Sequence, residues 1–253
     1  MGALIPYFGG KSRLAKQVVA RMPEHSCYVE VFAGAAAVFF SKEPSKTEVI
    51  NDLDRELITL YRAVQNHPEE LRRQFKYTLV ARDEFNRLMR AAPDTLTDIQ
   101  RAARYLYLQR TCYGGRVHQR TFGTVTVGKP RLNLFTLEET LETAWRRLAQ
   151  ALIECMDFRD LIARYDRPHT LFYLDPPYWD IVGYEHNFVE QDFVDLAQAL
   201  AGIKGRFLMS INDTPEVREV FGRFQIEEVT LKYSMGKGQG SRDKLRTELL
   251  ISN

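Results

Sequence analysis

A doubly wound α/β sheet carrying a helical insertion is the fold this sequence predicts, and three observations carry that expectation. Short apolar, β-branched runs alternate with stretches of helical periodicity at both ends of the chain. A glycine turn at Gly34 follows the first strong strand, and an acid, Asp52, ends the second, 18 residues later. From Pro68 to about Cys112 apolar residues recur at helical spacing, which is too much helix for a strand-to-strand connection. The expected architecture is a mostly parallel sheet with an antiparallel C-terminal hairpin, built from residues 1–66 and 151–253. Residues 67–150 are the inserted helical subdomain.

The elements follow in order. Pro6-Tyr7-Phe8-Gly9-Gly10-Lys11-Ser12 is a turn before a helical pattern, Arg13 to Met22. Gly-Gly-Lys-Ser has the ending of a phosphate loop, but the first glycine of that motif would fall at Ile5 and no strand precedes it, so a nucleoside-triphosphate site is not expected. Tyr28 to Phe32 reads as a strand, Ala33-Gly34-Ala35 as a turn, and Val38-Phe39-Phe40 as the start of an apolar helix. Thr47 to Ile50 is the second strand; Asp54 is placed to cap the helix Arg55 to Gln65. After the helical insert, residues 113–131 combine glycines, alternating β-branched residues and unopposed Arg/Lys, the pattern of a hairpin or loop that meets phosphate. Leu137 to Gln150 is a helix. Strands are then expected at Ala151–Cys155, Thr170–Leu174, Gly205–Ile211, Phe224–Thr230 and Thr247–Ser252, with helices ending at Tyr165 and spanning Val189–Leu200 and Thr214–Phe221. A basic loop with Gly236, Gly238 and Gly240 joins the last two strands.

Composition narrows the function. With 45% apolar and 27% charged residues the chain has the balance of an ordinary globular protein. No apolar run approaches a membrane span, and Met1-Gly2-Ala3-Leu4-Ile5-Pro6 is not a signal peptide. Cys27, Cys112 and Cys155 form no CxxC pair, which argues against zinc and structural disulfides. Net charge is only +2, yet Gln100 to Phe135 holds seven Lys/Arg and no acid, and Lys232 to Arg246 holds five against one Asp. Two such zones suggest a polyanion-binding face.

The chemistry centres on Asp175-Pro176-Pro177-Tyr178, which follows the buried run Thr170 to Leu174. Two prolines end the strand and leave a carboxylate, a rigid turn and an aromatic ring at its carboxyl end, where open α/β sheets bind ligands. Glu30, Asp52 and Asp157 fall at or near other strand ends.

Taken together, Phe32-Ala33-Gly34, Asn51-Asp52 and Asp175-Pro176-Pro177-Tyr178, in this order around an insert, resemble the Dam-like, D12-class S-adenosylmethionine-dependent DNA N6-adenine methyltransferases. Tyr7-Phe8-Gly9-Gly10-Lys11 resembles that family's N-terminal cofactor motif, and Glu248 to Asn253 its terminal strand. The resemblance runs essentially end to end and is weakest in the insert. Ala35-Ala36-Ala37 departs from it, where relatives often carry a second small Gly/Ser position.

The resemblance implies a Rossmann-like methyltransferase fold and a DNA (adenine-N6) methyltransferase acting on a flipped base in duplex DNA. Asp175, Pro176, Pro177 and Tyr178 would be catalytic: Asp175 and the Pro176 carbonyl accept the two amine N–H groups, and Tyr178 stacks on the base. S-adenosyl-L-methionine would be held by Tyr7, Lys11, Glu30, Phe32, Gly34, Asp52, Asp157, Phe158 and Asp175, with Asp52 on the ribose and Asp157 and Phe158 on the adenine. Asp157 is equally placed to cap a helix. DNA would be met by Arg116, His118, Arg120, Lys129, Arg131, Lys237 and Arg242. No metal is implied. A cytoplasmic, nucleoid-associated enzyme of bacterial or phage origin is expected; a homodimer on DNA and a cognate restriction nuclease are left open.

Several rivals compete. N4-cytosine methylation would use the same acceptors. Cytosine-C5 methylation would need a nucleophilic Cys, and none of the three lies in a Pro-Cys turn. A nicotinamide oxidoreductase shares the glycine turn and the following acid but lacks the full fingerprint. An inert DNA-binding regulator has no need of an intact Asp-Pro-Pro-Tyr, and RNA or a free nucleoside does not account for the size of the insert.

Overall fold

The computed structural model describes residues 3–7, 9–11, 14–128, 130–181, 183, 186–233 and 244–253, with backbone alone at 231–233 and 244–246. Strands β1 (Cys27–Glu30), β2 (Thr47–Asn51), β3 (Leu152–Glu154), β4 (Thr170–Leu174), β5 (Arg206–Asn212), β6 (Gln225–Tyr233) and β7 (Lys244–Ser252) form one sheet ordered β3-β2-β1-β4-β5-β7-β6. Neighbours from β3 through β5 pair in parallel, and β7 runs antiparallel between β5 and β6. This is the doubly wound sheet with a C-terminal hairpin that the alternating pattern predicts.

Both faces of the sheet are covered, and the strands alternate between two cores. In β4, Leu171 and Tyr173 pack on one side, Phe172 and Leu174 on the other. Short strands buried on both faces are near-continuously apolar, as β4 is after its first residue, Thr170. On one side lie α1 (Ala15–Val19), α2 (Arg55–Asn66), α3 (Pro68–Phe75), α4 (Arg82–Arg90), α5 (Asp98–Thr111) and α6 (Leu134–Leu148). On the other lie α7 (Phe158–Tyr165), α8 (Glu190–Ala201) and α9 (Pro215–Val220).

The inserted helices do not form a separate core. Leu71, Phe75, Phe85, Tyr105, Leu106, Leu137 and Leu141 join Leu57, Leu60 and Tyr61 of α2 in one buried cluster. Caps set the starts: Asp54 accepts from the Glu56 and Leu57 N–H groups, and Thr97 with Gln100 forms a capping box on α5.

Two local expectations change and a third is resolved. The apolar run after Gly34 is a series of turns rather than a helix; Glu30 takes the Phe39 N–H, and Ala36 adopts a positive φ of 50°. The first helix is five residues long, Ala15–Val19, rather than a run from Arg13 to Met22. Residues 113–131, expected as a hairpin or a loop, take the loop form: among the described residues they hold a 3-10 turn, Tyr113–Gly115, and one isolated bridge, Cys112 to Phe122. Phe122 is anchored edge-on against Phe85, 5.6 Å away, and its neighbours hold irregular backbone. The glycine-rich basic loop before β7, with Lys237 and Arg242, and also Lys129, lie outside the described residues.

Candidate active site

Register explains why residues far apart in sequence meet. Glu30 of β1 pairs with Ile50 of β2 and with Tyr173 of β4. Two residues further on, each strand leads into Phe32, Asp52 and Asp175 respectively, on one edge of the sheet. β1 is also the strand at which the order reverses, with β2 on one side and β4 on the other. Ligand crevices of doubly wound sheets open at that point.

A cavity of about 830 Å³, counted to its open mouth, occupies the crevice. Its walls include Tyr7, Lys11, Glu30, Phe32, Gly34, Asp52, Phe158, Asp175 and Pro177 from the sequence-predicted set. Leu53, Met156, Tyr173, His186 and Phe188 also line it, and sequence reading had not singled them out. Phe188 is the most informative of these. Its ring lies 5.5 Å from both Phe32 and Phe158, completing a three-ring wall, and it is 5.1 Å from Phe193 of α8. An aromatic just before a helix is too common a sequence signal to have found it.

Gly34 has a φ of +47°, and a Cβ there would lie 3.1 Å from the Tyr7 ring. Glycine is therefore required both by backbone conformation and by the tyrosine packed on it. The turn is held by Asp52, whose Oδ2 accepts the Gly34 N–H at 2.8 Å while Oδ1 accepts the Asp54 N–H at 2.9 Å. Tyr61 donates to the Gly34 carbonyl at 2.6 Å. Burial pushes the Asp52 carboxyl up to about 6 against these N–H donors. Each of its oxygens keeps a lone pair for a further donor. Asn51, buried between β1 and β3, donates to the Val31 and Met156 carbonyls at 2.9 and 3.0 Å and ties the strand ends together.

Glu30 is 2% exposed. Its Oε2 accepts from the Tyr28 hydroxyl at 2.6 Å and the Phe39 N–H at 2.8 Å. Burial dominates and raises its carboxyl to about 8, so near neutral pH it is largely protonated.

At the Asp-Pro-Pro-Tyr turn, Lys11 reaches the catalytic candidates directly. Its ammonium is 2.6 Å from Asp175 Oδ1 and donates to the Tyr178 hydroxyl. Glu248 of β7 is 3.9 Å away. Asp175 also takes a bond from Ser210 at 3.4 Å, and Ser210 is paired with the Tyr173 hydroxyl at 2.8 Å. Burial raises the Asp175 carboxyl to about 6, with Lys11 pulling the other way. No described residue donates to the Pro176 carbonyl. Asn212 fixes the far side of the turn through both backbone groups of Trp179, at 3.0 and 3.2 Å.

Asp157 takes the helix-capping place expected of it. It is not part of the cavity wall. Its Oδ1 caps α7 by accepting the Arg159 N–H at 2.9 Å, and both oxygens face the Arg159 guanidinium at 3.2 Å. Of the basic residues, Arg116, His118 and Arg131 are exposed. Arg120 is half-buried, stacked 5.0 Å over the Tyr105 ring. Among the described residues no cluster of His, Cys, Asp and Glu could hold a metal, and no helix is long and apolar enough to cross a membrane.

The model of the family described as D12 class N6 adenine-specific DNA methyltransferase matches residues 7–235. The chain belongs to that family. It is 28% identical to the Type II methyltransferase M1.LlaDCHI of Lactococcus lactis, over 97% of this chain and 93% of that protein. It is 27% identical to the Type II methyltransferase M.CviBI of a Paramecium bursaria Chlorella virus, over the full length of both. With the DNA adenine methylase of Escherichia coli it shares 26% identity, over 96% of this chain and 92% of that one. The protein is thus a DNA adenine-N6 methyltransferase, and its methyl donor is S-adenosylmethionine. The residues of the cavity fit that donor in kind: a glycine turn that admits close approach, three aromatic rings, and the Asp52 carboxyl with acceptor positions left for hydroxyls.

Proposed function

We propose that Asp175, Pro176 and Tyr178 form the target-adenine site of this methyltransferase. The carrying observation is the Asp175 carboxylate at the cavity wall beside a Pro176 carbonyl to which no described residue donates. An adenine amine is a poor nucleophile because its lone pair is delocalised into the ring. Asp175 accepts one N–H and Pro176 the other. Two fixed acceptors favour a more tetrahedral nitrogen and stabilise the positive charge that develops on it. Tyr178 supplies a stacking face. The amine competes with Lys11 for Asp175, so Lys11 keeps the carboxylate ionised until the base arrives.

In this reading the cofactor supplies an activated methyl group on sulfur, which needs positioning rather than a metal. Asp52 would hold the ribose hydroxyls, and Phe32, Phe158 and Phe188 the purine. Glu30, Tyr7 and the Gly9–Lys11 backbone would border the amino-acid end. Residues 67–150 would act as the target-recognition unit, with Arg116, His118 and Arg131 toward DNA and Arg120 held from behind by Tyr105. Lys129, Lys237 and Arg242 remain candidates on sequence grounds. Their phosphate contacts would offset the few kcal/mol needed to extrude a base. The similarity to two Type II methyltransferases supports a Type II role for this chain.

The test is transfer of labelled methyl from S-adenosylmethionine to duplex DNA, with the modified base identified by digestion. N6-methyladenine is expected, and its loss in Asp175→Ala. Label in N4-methylcytosine instead would overturn the base assignment.

A further inference from the structure

Gln109, near the end of α5, lies outside the cavity and is fully buried. Its carboxamide joins three segments. Nε2 donates to the Pro6 carbonyl at 2.9 Å and to the Gly115 carbonyl at 2.7 Å. Oε1 accepts from Arg120 Nε at 3.3 Å. Pro6 precedes Tyr7, whose ring covers Gly34 and lines the cofactor cavity. Gly115 and Arg120 belong to the basic loop that follows α5.

The contact between loop and N-terminus is close. Gly115 has a φ of +66°, and a Cβ there would sit 2.9 Å from the Tyr7 nitrogen and 3.0 Å from the Pro6 carbonyl carbon. A second route runs from the same arginine. Arg120 stacks on Tyr105, Tyr105 donates to Asp54 Oδ2 at 3.0 Å, and the Asp54 N–H donates to Asp52. Both routes end at the Gly34 turn.

An amide suits this junction where other side chains do not. Two N–H donors meet two carbonyls, and one carbonyl oxygen meets a guanidinium. A carboxylate would face two carbonyl oxygens, and an apolar side chain would leave buried acceptors unpaired.

We propose that Gln109 is a positioning residue that holds the basic loop and the Tyr7 wall of the cofactor cavity as one unit, so that duplex DNA on the loop and cofactor in the cavity strengthen each other's binding. This rests on the reading of the loop as a DNA contact. Linkage makes the effect reciprocal: the factor by which DNA tightens cofactor binding equals the factor by which cofactor tightens DNA binding.

The experiment measures that factor by calorimetry, using S-adenosylhomocysteine as the probe and a duplex carrying the site that the wild-type enzyme methylates. Wild type should bind the probe about fivefold or more tighter with DNA present, within the usual range of coupling. Gln109→Met, similar in size but without donors, should bring the factor to within twofold of one. Gln109→Asn, too short to span both carbonyls, should do the same, and serves if the Met variant does not fold. A wild-type factor near one overturns the proposal, as does a factor that survives in a folded Gln109 variant. Arg116→Ala separates the two readings. If it leaves DNA affinity unchanged, the loop assignment falls and the coupling with it. If it weakens DNA binding while coupling survives in Gln109→Asn, Gln109 alone is excluded.

Discussion

The Lys11 ammonium lies 2.6 Å from Asp175 Oδ1 across 164 residues of sequence. The buried Asp175 carboxylate is thus paired in the protein alone, and on the proposed reading the target amine would take the place of Lys11. Asp175→Asn keeps an acceptor of the same shape and removes the charge. The expected loss in kcat is on the order of 10²–10³-fold, the scale for one preorganised electrostatic contact. Calorimetry with S-adenosylhomocysteine should show affinity within a few-fold of wild type, which separates chemistry from binding.

Activity should depend on pH through the same carboxyl. Asp175 has been raised to about 6, chiefly by burial. The ionised form is the stronger acceptor and carries the charge that stabilises positive charge on the amine, so kcat should climb with pH through about 6 and level off above it. Lys11 opposes the burial effect, so Lys11→Met should move this acid limb to higher pH. Asp52, also near 6, should give cofactor affinity an acid limb of its own, read as binding rather than as kcat.

Gly34→Ala tests the cradle. The left-handed backbone there costs an L side chain about 1–2 kcal/mol, and the new methyl would press on the Tyr7 ring. Cofactor dissociation constants should rise roughly tenfold or more at that cost. Binding of duplex DNA in the absence of cofactor should change little.

Phe188→Ala removes one of the three rings that line the cavity and are proposed to hold the purine. Aromatic pairs contribute about 0.5–1.5 kcal/mol beyond buried area, so a weakening of cofactor binding by about two- to tenfold is expected. The melting temperature will also fall, because Phe188 packs on Phe193; fluorescence titration at a temperature where both proteins are folded isolates the binding effect.

Arg116→Ala should lower DNA affinity and reduce the slope of log K against log salt by roughly one, as for a single lost phosphate contact. Affinity for S-adenosylhomocysteine alone should not move. An unchanged salt slope would remove Arg116 from the DNA face.

The strands, the Gly34 turn, Asp52 and the Asp-Pro-Pro-Tyr turn were readable in the chain because each is a local matter. An apolar β-branched run buries itself whatever its neighbours are, a proline cannot continue a ladder, and an acid before a helix caps it. The order of these motifs was enough to name a family and to expect its chemistry. What the sequence could not carry is pairing at a distance. A shared edge for Glu30, Asp52 and Asp175 follows from strands running parallel, but the register that sets Glu30 level with Ile50 and Tyr173 is not encoded in the individual strands. Phe188 became a cavity wall because the fold packs its ring between Phe193 of α8 and the rings of Phe32 and Phe158. Asp157 met both local requirements, capping and ligand acceptance, and the fold set Arg159 beside it and left it off the cavity wall. Lys11, expected over the cofactor, does line that cavity but points its charge at Asp175, because burial at 4% exposure leaves an ammonium no choice but the nearest carboxylate. Composition and periodicity thus determined the kinds of element and their chemistry. The three-dimensional packing decided which charges became partners, since a buried charge is paired by proximity in space rather than in sequence.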